Sequence, residues 1–229
     1  MKIKSLNSKV LWCLISGVIC VNAAHFMCIP FLAFYLINQI NCSLWITGLV
    51  IGVGPLFSIL GGFIGGQLSD KLGRLPLLYM SVFATAVLLI LFYIVFSVQL
   101  SVMQLFIITI LNALLGFFTS FFQPSVMALM TDWIEPSIRE QAFQLRYAAI
   151  NIGAIAGPLL GVFLGTSLSP IPFLIAGLIY LSYGGILFAV LKNKNKDVKQ
   201  NHTNSSTILD SINLVVMDRR LLNFILFHI

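Results

Sequence analysis

The sequence predicts an all-α membrane protein with six membrane-spanning helices. Of its 229 residues, 59% are hydrophobic and 9% are charged, against about 25% charged in a soluble domain. The mean hydropathy is +1.01. Six apolar stretches are each long enough to cross the hydrocarbon core as a helix. The charged residues are confined to alternate connections between those stretches. At about 20 residues per span plus loops, the length accommodates roughly six or seven crossings and not twelve. This pattern argues against a soluble helical core, a disordered chain and a nucleic-acid-binding face.

The first stretch, residues 10–37, follows Lys2, Lys4 and Lys9. That flank mimics a secretory signal, but the run is too long and more spans follow, so it reads as an anchor that stays. The second and third stretches, 44–68 and 76–98, are joined by a short charged turn. The fourth, 100–130, is longer than one crossing needs, and Pro124 near its end predicts a kink. The fifth, 147–168, is interrupted by glycine and proline; the sixth, 172–191, is apolar throughout. Cys13, Cys20, Cys28 and Cys42 form no CxxC pair and read as small apolar residues, not as disulfides or metal ligands. Asn-x-Ser/Thr matches at Asn41, Asn201 and Asn204 are treated as chance matches.

Charge sets the orientation. Basic residues precede span one and lie between spans two and three, between spans four and five, and after span six. The other three connections carry no charge. By the positive-inside rule both ends are expected on the cytoplasmic side. Residues 1–191 form the six-helix region. Residues 192–220 read as a polar cytoplasmic linker, with Ile208, Leu209, Ile212, Val215 and Val216 spaced for a short surface helix. Residues 221–229 are apolar and read as the start of a seventh span that is cut short.

Between spans two and three lie Gly66, Leu68, Asp70, Lys71, Gly73 and Arg74. Physically this is a tight turn between two helices. Gly66 permits close helix contact and Gly73 an unusual backbone angle. Asp70 can accept hydrogen bonds at a neighbouring helix N-terminus, and Arg74 can pair with a carboxylate of another loop. The segment resembles the major facilitator superfamily signature, G-x-L-x-D-[RK]-x-G-R. The resemblance implies two three-helix inverted repeats, together one half of a twelve-helix transporter. It also implies a gating cluster of the turn's aspartate and arginine with an acidic residue ending span four, a position that Asp132 fits.

A second stretch, from Asn151 to Gly161, is similar to the antiporter motif G-x-x-x-G-P-x-x-G-G. Gly153, Gly157, Pro158 and Gly161 carry that similarity, and Val162 stands where the motif has its last glycine. It favours the drug:proton antiporter branch. That branch often has an arginine in span four, four residues before a glycine; counting back from Gly116 gives Asn112. No Asp or Glu lies inside any span. His25, with Asn22 one turn earlier, is therefore the candidate proton or substrate site. Asn112, Gln123 and Asn151 are candidates for lining a polar cavity, or else interhelical glue.

The leading functional reading is the N-terminal half of a proton-coupled multidrug efflux antiporter, truncated and inactive alone. Its expected partners are the lipid bilayer, a missing C-terminal half or a second copy, and a small apolar or cationic molecule, with no nucleic acid. The expected address is the bacterial inner membrane. A second reading is a half-size transporter acting as a homodimer or with a separately encoded half. A third is a membrane protein that binds a partner without transport. No paired carboxylates, HExxH, nucleophile elbow or P-loop suggest an enzyme. No cofactor is called for beyond the proton.

Overall fold

The computed structural model describes residues 9–98, 103–164 and 169–191, apart from the side chain of Asp70. All of these fall in the first of two compact units, Met1–Asn195. The expected linker at 192–220 and the apolar end at 221–229 lie outside the described residues. Among the described residues seven helices follow in order: α1 (Lys9–Asn38), α2 (Leu44–Leu72), α3 (Arg74–Ser97), α4 (Met103–Thr119), α5 (Phe122–Trp133), α6 (Pro136–Leu164) and α7 (Ile171–Leu191). They make six membrane-capable segments, with α4 and α5 sharing the fourth.

Three boundaries differ from the sequence reading, each for a local reason. The fourth segment breaks at Ser120–Phe121 instead of bending at Pro124. Proline at 124 cannot donate to the Ser120 carbonyl one turn back. The hydroxyls just ahead also compete for backbone carbonyls: Thr119 Oγ1 donates to Leu115 O at 2.7 Å and Ser120 Oγ to Phe117 O at 2.7 Å. The fifth segment starts at Pro136, well before residue 147. Proline suits a first helical position, and the Glu, Gln, Ala and Leu that follow are good helix formers. The charged turn after span two shrinks to Gly73 alone, whose φ of 90° is open to glycine and costly for other residues. Asp70 and Lys71 therefore stand in the last turn of α2, and Arg74 opens α3.

The helices pack in a pattern with internal symmetry. α1 lies along α6 and α7; α2 lies along α4; α3 lies along α7 and α4. Exchanging the first three segments for the last three, in order, maps α1–α6 onto α4–α2 and α1–α7 onto α4–α3. It leaves α3–α7 in place. This is the contact scheme of two inverted three-helix repeats.

The symmetry reaches the residues. α2 carries Gly54-Pro55-Leu56 and α6 carries Gly157-Pro158-Leu159. Each glycine meets the first helix of the opposite repeat. A Cβ on Gly157 would lie 2.5 Å from the Ala23 carbonyl oxygen of α1. Gly54 sits against Gly116 and Asn112 of α4. Gly153 and Gly161 extend the α6 contact along α1, and Gly61 and Gly65 extend the α2 contact to Phe117, Ser120 and Phe121. In lipid, where apolar burial does not drive helices together, such close backbone approach supplies the packing. Phe92 and Phe96 of α3 and Phe173 of α7 fill the opposite side as one aromatic cluster.

Within this unit the Cβ position of Gly66 meets nothing within 4 Å among the described residues, and the close contact falls on Gly65 against Phe121. The helix turns Gly65 inward and leaves Gly66 on an open face, together with Gly48, Gly52 and Gly62.

Candidate functional site

Two constellations emerge, one at a helix-end cluster and one inside the bundle. The first gathers around α5. Arg74 forms an ion pair with Asp132, in the last turn of α5, and its Nη1 donates to Ala128 O at 2.9 Å. Arg139 Nη2, from α6, donates to Thr131 O at 2.8 Å and to Ile134 O at 3.3 Å. These carbonyls are among those a helix end leaves without a partner, and a cation there also suits the helix dipole. Arg146 Nη2, further along α6, donates to Gln123 Oε1 at 2.7 Å. Three arginines from two helices thus hold the short helix that the break at Ser120–Phe121 sets apart. The structure brings together Gly73, Arg74 and Asp132; Lys71 is exposed. The side chain of Asp70 lies outside the described residues.

The second constellation is a cavity of about 310 Å³ bounded by α1, α2, α3, α4 and α7. His25, Ser58, Thr85, Asn112, Thr119 and Tyr180 are its polar lining residues. Leu89, Phe92 and Phe173 are among the apolar ones. Asn112 explains part of its construction. Pro55 has no N–H, so the Ile51 carbonyl one turn back has no helical donor. Asn112 Nδ2 donates to Val50 O at 2.8 Å and to Ile51 O at 3.2 Å. An asparagine thus repairs the hydrogen-bond ladder that the proline interrupts, beside the Gly54–Gly116 crossing.

Of the five candidate substrate or proton residues, His25 and Asn112 line this cavity. Asn22, Gln123 and Asn151 do not. Asn22 is turned towards Gly153 and donates to Val18 O of its own helix at 2.7 Å. Gln123 is committed to Arg146. Asn151 is exposed and donates to Tyr147 O at 2.8 Å. Thr85 and Tyr180 were not singled out from sequence. A lone hydroxyl in an apolar run is a weak signal. The better one was the Gly54-Pro55 pair, which marks where α2 needs an outside donor.

The Major Facilitator Superfamily model matches residues 3–112 and 87–229. The chain belongs to the Major Facilitator Superfamily. It is 40% identical over 176 residues to the uncharacterized MFS-type transporter YqjV of Bacillus subtilis, covering 77% of this chain and 41% of that protein. Against the Na(+), Li(+), K(+)/H(+) antiporter of Planococcus maritimus it is 29% identical, over 72% of this chain and 38% of that one. Against the multidrug resistance protein MdtG of Proteus mirabilis it is 24% identical, over 90% and 50%. Among solved structures, a peptide transporter POT matches with a TM-score of 0.70 at 20% identity, covering 95% of this chain and 46% of that one. That likeness concerns the fold. This superfamily member is an integral, multi-pass membrane protein, and it spans about half the length of the curated relatives it matches.

Proposed function

We propose that the chain forms the N-terminal six-helix unit of a proton-coupled efflux antiporter. Its cargo on this reading is a small apolar or cationic molecule, moved by alternating access. The observation that carries the reading is the cavity holding His25, an imidazole at span depth, inside a unit of two inverted repeats. A membrane-embedded titratable group marks a proton or substrate path. The antiporter and the multidrug resistance protein among the relatives support the same class. Transport is this unit's task, not catalysis.

A second six-helix unit completes the transporter on this reading. Gly48, Gly52, Gly62 and Gly66 form two small-xxx-small pairs on the open face of α2, suited to close contact with another helix. The second unit is on a longer chain, on a separate chain, or a second copy of this one. The cluster at Gly73, Arg74 and Asp132 gates the boundary with it. Both ends of the six-helix unit are placed on the cytoplasmic side of a bacterial inner membrane, following the basic residues.

Uptake measurements in cells test this. Cells expressing the chain with the second six-helix unit of YqjV should accumulate less of an apolar cationic dye, and a protonophore should abolish the difference. Equal accumulation with both units inserted in the membrane would overturn the reading.

A further inference from the structure

We propose that Asn112 is a specificity residue of this unit. It offers its side-chain oxygen Oδ1 to cargo as a hydrogen-bond acceptor, Pro55 fixes that orientation, and the cargo class is one carrying an N–H or O–H donor. The inference rests on the transporter reading above and narrows its substrate class.

The polarity follows from the backbone. Pro55 has no N–H to give to the Ile51 carbonyl one turn back. Asn112 Nδ2 donates to that carbonyl at 3.2 Å and to the Val50 carbonyl at 2.8 Å. Carbonyls only accept, so the amide nitrogen must face them; the reversed amide would set oxygen against oxygen. Both N–H groups are thereby used, and Oδ1 is left. No described residue donates to it. Asn112 is only 7% exposed and lines the cavity, so a partner for Oδ1 comes from that space. Pro55 and Ile29 line the same cavity and are exposed, so it is open on their side. Cargo held at Asn112 would also meet the second unit.

The neighbouring polar groups lean the same way. Thr119 Oγ1 donates to Leu115 O and Gly116 O, and Tyr180 Oη to Val21 O. What these hydroxyls still offer is their lone pairs. His25 and Thr85 adapt to either polarity, by tautomer or by rotation.

Mending the helix is not by itself a reason for Asn112. Pro158, the counterpart of Pro55 in the other repeat, leaves the Ala154 carbonyl without a helical donor in the same way. Asn22, at the crossing of α1 with α6, donates to Val18 O of its own helix instead, and no described side chain donates to Ala154 O. The unit tolerates that interruption unmended.

Indole and benzofuran test the proposal. Both are neutral and they share a shape, but indole has an N–H donor where benzofuran has an oxygen. Binding is measured by calorimetry on the full chain with the second six-helix unit of YqjV in nanodiscs, with empty nanodiscs as the blank. Indole should bind about tenfold more tightly than benzofuran, the worth of one hydrogen bond. Pro55→Ala gives the Ile51 carbonyl a helical donor and frees the amide to turn, so the preference should fall about threefold or more. Asn112→Leu should abolish the preference. If that variant fails to fold, Pro55→Ala/Asn112→Leu keeps the helix ladder whole and should show the same loss. A purely structural Asn112 would move the melting temperature and leave the ratio of the two affinities alone. A preference unchanged in Pro55→Ala or in the double variant overturns the proposal. So does equal binding of the two probes, tighter binding of benzofuran, or no binding of either. If the same assembly still exports a cationic dye in those cases, the transport reading stands and only the assignment of Asn112 fails. The expected preferences without export would leave the assignment and overturn the transport reading.

Discussion

Arg74, the first residue of α3, is paired with Asp132, in the last turn of α5, and the same guanidinium nitrogen donates to the Ala128 carbonyl at 2.9 Å. The pair links the turn after α2 to a helix fragment that the chain has separated from α4. Both side chains are about one-third exposed, at 29% and 36%. The pair therefore contributes little stability, about 1 kcal/mol or less. Its value lies in position. Asp132→Asn and Arg74→Ala should leave insertion and the melting temperature nearly unchanged. Each should lower transport by the assembled protein about tenfold or more. Asp70→Asn should act in the same direction. Full transport in all three would refute a gating role, and vesicle flux against detergent melting separates the two effects.

The glycines predict an asymmetry between the faces of α2 and α6. A side chain at Gly157 has no room, because its Cβ would lie 2.5 Å from Ala23 O and 2.9 Å from Phe26 Cβ. Gly157→Val should destabilise the unit by several kcal/mol, combining overpacking with a lost backbone contact, about 1–3 kcal/mol or more. Gly66→Ala, on the open face, should leave the isolated unit's melting temperature within a degree or two while impairing assembly. Thermal melting in detergent checks the first, and co-purification with the second six-helix unit checks the second.

Asn112 and Pro55 predict a compensating pair. Asn112→Ala removes the donor that the Ile51 carbonyl takes from outside its helix. The cost should be about 1–3 kcal/mol for a buried acceptor left unmet. Pro55→Ala restores a backbone N–H one turn below that carbonyl, so it should recover a large part of the loss in the Asn112→Ala background. A double-mutant cycle on melting reads the coupling. Additive effects would show that Asn112 acts on something other than the broken ladder.

Much of the fold was legible because a bilayer constrains sequence strongly. A span needs a long apolar run, and residues 10–37 and 172–191 were matched by α1 and α7 within a residue at each end. The Gly73 turn was legible because only glycine readily takes its backbone angle. The pairing of Arg74 with Asp132 was expected from the family pattern, and the side chains do meet. The direction of the other polar side chains was not legible. Asn22 looked like part of the His25 site and Asn151 like a cavity residue, yet each satisfies a carbonyl of its own helix one turn back. Gln123 was claimed by Arg146, a residue read as part of a loop. Periodicity gives a face, but neighbours decide what the face meets.

His25 predicts the form of the pH dependence. If its imidazole carries the coupled proton, His25→Ala should make flux independent of pH across about 5 to 8, the range in which an imidazole changes charge. An unaltered pH profile in His25→Ala would assign the proton to another group.

The most direct measurement uses inside-out membrane vesicles holding an imposed proton gradient, followed with a pH-sensitive dye. With this chain and the second six-helix unit of YqjV both present, adding cargo should collapse the gradient. An intact gradient after cargo addition, with both units inserted and associated, would contradict proton-coupled transport by this unit.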